Sequence, residues 1–427
     1  MRVEFIGSGE RINAEILNRR PLADSAATAV AADIIRDIRE RGDVAIAEYT
    51  LKLDRAERQY LAVSETEIEQ GLSKLNSDLL AAMTAAAESI REFHLRQKPQ
   101  STFATRADGA LIGTKATPLG SVGLYVPGGR AIYPSTVLMN ALPARVAGVK
   151  RIVLVTPPQP NGTIRPEILG AARLAGVEEI YAIGGAQAIA ALAYGTETIE
   201  PVDKIVGPGN VYVAAAKRLV SGDVGIDMIA GPSEVAILAD KSADVSLVAI
   251  DLLAQAEHDP DASTYLITTD ETLIDQVIET IDQLLVDSTR QEITKASIDN
   301  NCFLFVCEDM LTAIELVNQI APEHLGVMTE QPMELLGMID NAGAIFLGSW
   351  TPQSVGDYMA GPSHTLPTGG TARFSSPLSI EDFYKRTSVI SYSYSALKDD
   401  SENIILLAQA EGLWAHAKSV EMRFKDE

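Results

Sequence analysis

From Ser121 onward the chain repeats one grammar: a short apolar run, a glycine or proline turn, then an Ala- and Leu-rich helical segment. Val122–Val126 precedes Pro127-Gly128-Gly129, Arg151–Val155 precedes Thr156-Pro157-Pro158, Glu179–Ile183 precedes Gly184-Gly185, and Lys204–Val206 precedes Gly207-Pro208-Gly209-Asn210. The alternation resumes after Gly231 with Val235–Leu238, Ser263–Ile267, Phe303–Val306 and Ala344–Leu347. Strands apolar on both faces must be covered on both faces, which predicts parallel sheets wrapped in helices. The fold class expected is α/β, with two Rossmann-like parallel-sheet lobes, a helical N-terminal segment and an extended-plus-helical C-terminal tail. No internal sequence repeat is visible, although the shared grammar suggests an ancient duplication.

The boundaries follow from where this texture starts and stops. Residues 1–22 form an N-terminal segment that Pro21 closes. Residues 23–120 with 232–372 make one α/β domain, 121–231 the other, and 373–427 a tail. Ser25 or Asp24 caps a helix through Val30, Ile34, Ile35 and Ile38 that stops near Gly42. A long helix is predicted from Thr66 to about Arg96, with Leu72, Leu75, Leu79, Leu80, Met83, Ile90 and Phe93 as its apolar stripe, packed on the second lobe. In the tail, Val389–Tyr394 reads as extended chain and a helix follows from about Asn403 to Val420. A tail detached from either sheet is suited to reaching onto a partner subunit.

A formal net charge of -23 would repel phosphates at long range, which argues against nucleic acid or an anionic membrane as partner and favours a cationic or zwitterionic small substrate. The amino terminus has no signal-peptide core and no segment is long and apolar enough to span a bilayer, so a cytoplasmic protein is expected. Cys302 and Cys307 flank Phe303–Val306 at odd spacing, which puts them on opposite faces of a strand. Neither has the polar surroundings of a thiolate nucleophile.

The chain has five histidines, and four lie among polar or Gly/Pro-rich neighbours. Gln255 and His258 stand one turn apart at the end of an apolar helix that Pro260 stops, so both point the same way. A histidine in a last turn also serves simply to cap carbonyls. Glu323-His324 pairs an acid with an imidazole suited to proton transfer near neutrality, the alternative being two solvated loop residues. Asp357 precedes the turn-rich stretch Gly361–Gly370 that holds His364, and Glu411 precedes His416. His94, in a run of charged residues, reads as an ordinary surface residue. Gln255, His258, Asp357 and His416 would together offer two oxygens and two imidazole nitrogens, a set suited to Zn²⁺ and tolerable to Mn²⁺ or Co²⁺. The turns at Gly184-Gly185 and Gly207-Pro208-Gly209-Asn210 open helices whose first amides suit an anion such as a pyrophosphate. Neither is a dinucleotide fingerprint, because Tyr212 stands where the third glycine belongs, and a purely structural turn fits equally well.

Taken in order, Tyr125–Gly129, Pro134–Asn140, Gly184–Gln187, Gly207–Asn210, Gly231–Glu234, Gln255–His258, Pro322–His324 and His364–Thr368 resemble the motifs of the histidinol dehydrogenases, over a span from about Val122 to His416. One departure is Ser363, where many members carry asparagine. The resemblance implies four-electron oxidation of L-histidinol to L-histidine, the last steps of histidine biosynthesis, with two NAD⁺ and with histidinaldehyde kept on the enzyme. It implies Zn²⁺ on Gln255, His258, Asp357 and His416, with His416 arriving from the other subunit of a homodimer. Those four residues, together with Ser233, Glu323, His324, His364 and Glu411, would hold the substrate; Tyr125, Gln187 and Asn210 would contact NAD. On this view 121–231 is the NAD-binding domain, 23–120 with 232–372 carries metal and substrate, and 373–427 dimerises. A neutral imidazole is wanted to take the alcohol proton, which selects His324, and Glu323 is placed to activate water at the aldehyde. Two alternatives share parts of this pattern: an NAD- and zinc-dependent dehydrogenase of another polar alcohol, and a non-catalytic zinc- or nucleotide-binding protein.

Overall fold

A computed structural model describes residues 1–13, 16, 25–128 and 132–424. The chain forms two compact units, Met1–Gln97 with Leu119–Phe383, and Lys98–Pro118 with Tyr384–Glu427. The expected break at Pro21, the cap at Asp24 and Gly129 of the first glycine turn lie outside the described residues.

Where a helical lead-in is expected, the chain opens with a strand, β1 (Arg2–Ile6), which pairs in parallel with the strand Cys302–Cys307. The first helix spans Ser25–Arg41. The single long helix predicted next is two, Glu65–Leu72 and Ser77–Leu95, because Asn76 turns its side chain onto the amides of Asp78 and Leu79 and starts a new helix. Ser64 and Glu67 close a capping box on the first of the pair. These early helices pack on the first lobe, and of them the helix Ser77–Leu95 also meets the second, where Ser89 and Phe93 lie against Gly361. On the first lobe Ala31, Ile34, Ile35 and Ile38 share one core with Ile189 and Val213, and Leu75 packs over Gly170. An apolar stripe says which side of a helix is buried, not what buries it.

The next two strands, β2 (Thr102–Thr105) and β3 (Leu111–Pro118), belong to the second unit rather than to the substrate lobe in which the sequence places them. The reason is the ladder: β3 pairs antiparallel with both β2 and the tail strand Tyr384–Ser391.

The first lobe then runs through β4 (Ser121–Tyr125), β5 (Arg151–Thr156), β6 (Glu179–Ala182), β7 (Lys204–Val206) and β8 (Gly225–Ile226), all parallel. Their order across the sheet is β6-β5-β4-β7-β8. Numbered within the lobe that is 3-2-1-4-5, the winding of a dinucleotide-binding sheet, which opens a crevice at the carboxyl ends of β4 and β7 where the order reverses.

The second lobe contributes β9 (Glu234–Ala239), β10 (Ser263–Thr268), β11 (Cys302–Cys307), β12 (His324–Met328) and β13 (Ala344–Leu347). Its order, β1-β11-β10-β9-β12-β13, is the same 3-2-1-4-5 with β1 added at one edge. Two buried clusters cover its faces, one with Leu252, Leu266 and Cys302, the other with Ile267, Phe305 and Cys307. The two cysteines do stand on opposite faces, and burial pushes the Cys307 thiol up to about 12. At the carboxyl ends of β9 and β12, the Asp240 carboxylate accepts the amides of Ser242 (2.9 Å) and Glu330 (3.0 Å).

The second unit ends with β14 (Tyr384–Ser391) and two helices, Tyr394–Ala410 and Trp414–Glu421, where one was expected. Gly412, at φ 71°, breaks them apart.

Candidate active site

The helix Val245–Ala256 starts on the Asp244 side chain, which accepts the amides of Ser246 and Leu247, and buries Val248, Leu252 and Leu253. It ends two residues short of His258, whose amide bonds back to the Gln255 carbonyl at 3.2 Å. Gln255 is 1% exposed, and neither atom of its carboxamide has a partner in the chain. Unmatched polar atoms at such depth are costly and call for a ligand. His258 is exposed, yet desolvation by the surrounding protein holds its imidazole below the ordinary value despite the opposing charge of Asp357.

Glu323 and His324 are positioned by an unusual helix end. After the helix Met310–Ile320, Ala321 is fully buried in a left-handed conformation, φ 50°, which turns the chain into Pro322 and the start of β12. His324 is thus the first residue of a strand, not part of a loop, and it lies in register with Val235 of β9 and Ala344 of β13. The peptide units around Glu234 fix both side chains. Its amide donates to Glu323 Oε2 at 2.8 Å, and its carbonyl lies 3.0 Å from His324 Nδ1. A carbonyl only accepts, so Nδ1 carries the hydrogen. His324 Nε2 is buried without a hydrogen bond, 3.9 Å from Asp357 Oδ1, and Phe346 stacks on the ring at 5.9 Å between centroids.

The electrostatics follow from burial and charge. Desolvation pushes the Glu323 carboxyl up to about 7 although His324 opposes it. Burial alone would lower His324, but Glu323 and Asp357 on either side overcome that and raise it to about 9. Burial would raise Asp357, and the neighbouring imidazoles of His324, His364 and His258 pull it below its usual range.

His364 Nδ1 donates to the Asp357 carbonyl at 3.2 Å, and its Nε2 lies 3.2 Å from Thr136 Oγ1, whose hydroxyl donates to it in the neutral ring. Burial lowers its pKa accordingly. Thr136 comes from the first-lobe helix Pro134–Ala147, which ties the two sheets together here. Ser363 is buried and caps the Thr365 amide at 3.1 Å, a local task that a short side chain performs. Ser233 precedes β9, with its hydroxyl beside Glu323. Next to His258 opens an apolar cavity of about 380 Å³ walled by Met83, Leu138, Tyr133 and Tyr358.

The structure therefore gathers Ser233, Glu323, His324, Asp357, His364 and His258 around one point, with the Gln255 carboxamide buried a turn from His258. Glu411 and His416 lie in the second unit, Glu411 at the carboxyl end of the helix Tyr394–Ala410 and His416 in the helix Trp414–Glu421, both exposed. Among the described residues no group of three or more His, Cys, Asp or Glu stands ready to hold a metal ion. Within the first unit the expected set supplies only His258 and Asp357 of those types, beside Gln255.

Of the three residues expected to contact NAD, Tyr125 ends a first-lobe strand, while Gln187 and Asn210 stand at the starts of the helices that follow β6 and β7. Tyr125 ends β4, is 3% exposed, and its hydroxyl accepts the Gly185 amide at 3.1 Å. Gln187, also buried, lies against Gly185, whose φ of 64° and tight surroundings exclude a side chain: a Cβ would stand 2.5 Å from Gln187 Oε1. That oxygen has no partner in the chain. Asn210 caps the helix Val211–Val220 through the amides of Tyr212 and Val213, each at 3.1 Å, and is exposed. Lys217 and Asp227, a buried ion pair behind this loop, carry no motif in the sequence. His94, expected at the surface, is fully buried: Met83, Ala87, Ile90 and His94 recur at helical spacing and mark one stripe.

The sequence profile of the histidinol dehydrogenases matches residues 17–424. Histidinol dehydrogenase of Bacillus licheniformis is 53% identical over 394 residues, 92% of either chain, and that of Bacillus subtilis is 51% identical over 390 residues, 91% of either chain. A crystal structure of histidinol dehydrogenase from Elizabethkingia anophelis superposes with a TM-score of 0.94 at 36% identity, covering 100% of this chain and 98% of that one. Matched by that profile over nearly its whole length and by relatives 51% and 53% identical over nine-tenths of both chains, the chain belongs to the histidinol dehydrogenase family.

Proposed function

We propose that this chain oxidises L-histidinol to L-histidine through histidinaldehyde, passing a hydride to NAD⁺ in each of two steps, as a cytoplasmic homodimer with shared sites. The observation that carries the reading is the placement of His324: Nδ1–H is committed to the Glu234 carbonyl, which leaves Nε2, buried without a hydrogen bond 3.9 Å from Asp357 Oδ1, as the one ring atom able to exchange a proton. In the chain alone, two carboxylates hold that imidazole too basic to be neutral at pH 7. A cation beside Asp357 would offset one of them and return the ring toward the neutral form that a general base requires. Glu323, raised by burial, is poised near neutrality to accept a proton from water at the aldehyde stage. No cysteine is near enough to polar groups to offer a covalent route, since Cys302 and Cys307 both lie in the cores of the second lobe.

Gln255, His258 and Asp357 suit Zn²⁺ by type, and the unmatched Gln255 carboxamide at the end of its helix supports a metal there. In this reading His416 of a second copy completes the set, and Ser233, His364 and Glu411 fix the substrate. Bound zinc would hold the imidazole and amine of histidinol and so orient its hydroxyl. The dinucleotide would lie across the carboxyl ends of β4 and β7, against Tyr125, Gln187 and Asn210, where a 3-2-1-4-5 sheet leaves its crevice. Residues 121–231 then serve as the NAD-binding domain, 232–372 as the metal and substrate domain, and the tail as the dimerisation element.

The deciding experiment is the yield of NADH per histidinol consumed by the purified zinc-loaded enzyme. About two supports the four-electron reaction, and about one means the enzyme stops at the aldehyde. No NADH from histidinol, with turnover of another polar alcohol, would overturn the substrate assignment.

A further inference from the structure

Lys217 and Asp227 form an ion pair whose side chains are 3% and 1% exposed, Lys217 from the helix Val211–Val220 and Asp227 from the chain after β8. Burying two charges is expensive, and a well-packed apolar pair of the same volume would stabilise the fold as well or better. The partners of the two charges explain the pair. Asp227 Oδ2 accepts the Gly207 amide at 2.8 Å, and Lys217 Nζ donates to the Gly207 carbonyl at 2.9 Å, while Lys217 Nζ and Asp227 Oδ1 close the ring. Both backbone polar groups of one residue are therefore held by one salt bridge.

That residue needs holding. Gly207 has φ 114°, a conformation L side chains rarely adopt, and it presses so close to Tyr125 that a Cβ would stand 2.2 Å from the Tyr125 carbonyl oxygen. Gly207 opens the turn Gly207-Pro208-Gly209-Asn210 at the reversal point of the sheet. At the far end of the turn, Asn210 caps the helix through Tyr212 and Val213. The turn is thus anchored at both ends, by the ion pair from behind and by its own cap in front. Because Lys217 is spent on Asp227 and Gly207, it is not a phosphate-binding lysine.

We propose that the Lys217–Asp227 pair is a positioning device for the nucleotide, holding the Gly207 turn in its binding shape before the dinucleotide arrives. The proposal rests on the reading that NAD occupies the crevice beside Tyr125 and Asn210. A preformed turn spares the complex the cost of ordering it, so the pair acts on nucleotide affinity and not on the chemistry of the bound complex.

The test uses the zinc-loaded enzyme and NAD⁺ or NADH as probe. The double variant Lys217→Met/Asp227→Leu removes both charges at similar volume. It should bind NADH about tenfold or more weakly in a fluorescence titration without histidinol, with the KM for NAD⁺ raised in step. The KM for histidinol, the zinc content and kcat at saturating NAD⁺ should stay close to wild type. Asp227→Asn, which keeps an acceptor for the Gly207 amide, should lose less. A folded double variant with wild-type NADH affinity overturns the proposal, as does an equal rise in both KM values. If the double variant does not fold, Lys217→Arg carries the test: weaker NADH binding at an unchanged histidinol KM supports the device, and unchanged NADH binding refutes it. Failure of the wild-type enzyme to bind NADH would instead sink the nucleotide reading itself.

Discussion

Glu234 holds His324 by its backbone carbonyl, 3.0 Å from Nδ1, so the orientation of the proposed base is set by main chain at the start of two neighbouring strands. A base fixed this way is separable from the proposed metal ligands. His324→Asn should keep zinc content near normal and slow the first oxidation about 10³-fold. Rapid-reaction NADH formation and metal analysis on the same sample check it. Parallel loss of zinc and activity would refute the division of roles.

Glu323→Gln should preserve the hydrogen bond from the Glu234 amide, because the carboxamide oxygen still accepts, while removing the group that takes a proton from water. Oxidation of histidinaldehyde supplied directly should fall about 10²-fold, and the first oxidation of histidinol much less. Comparable slowing of both substrates argues against water activation by Glu323.

His94 makes stability depend on pH. Burial lowers its folded pKa from 6.5 to about 4, so above pH 6.5 the ring is neutral in both states and its contribution is intact. Between pH 6.5 and about 4 the unfolded chain gains a proton that the folded chain refuses, which removes about 3 kcal/mol; below about pH 4 the loss levels off. Urea midpoints measured across that window should fall for the wild type and fall less steeply for His94→Leu. Parallel curves would mean His94 does not titrate on unfolding.

If His416 is donated between subunits, defects on different chains should complement. A His416→Ala chain and a His258→Ala chain, each inactive alone, should regain about a quarter of wild-type activity when mixed, unfolded and refolded together, since mixed dimers contain one intact site. No recovery, with mixed dimers present by mass, would place His416 on its own chain's site or outside any site.

The α/β class, the strands from Val122 onward and the motif-bearing turns were legible because buried parallel strands leave continuous apolar runs between glycine turns. β2 and β3 were not: β2 is wholly exposed and β3 nowhere buried, so neither leaves an alternating pattern. The helix Gln291–Asn301 escaped for a related reason, burying only Thr294, Ser297 and Ile298. The charges flanking His94 hid a stripe that spacing alone would have revealed. For the site, residue types and order pointed to Glu323, His324, Asp357 and His364, whereas the role of Glu234 is carried by its peptide groups and leaves no trace in side-chain chemistry.

Both sheets share one winding, but Asp240 already answers the amides of Ser242 and Glu330 at the crevice of the second. A fixed negative charge in that place disfavours a pyrophosphate, so on the proposed reading only the first lobe would hold NAD. Under the proposed four-electron reaction, the first NADH must then depart and a fresh oxidised molecule enter while the aldehyde stays behind. Coenzyme exchange thereby becomes an obligatory interlude between the two hydride transfers, and trapping of the aldehyde by solvent is the hazard it creates.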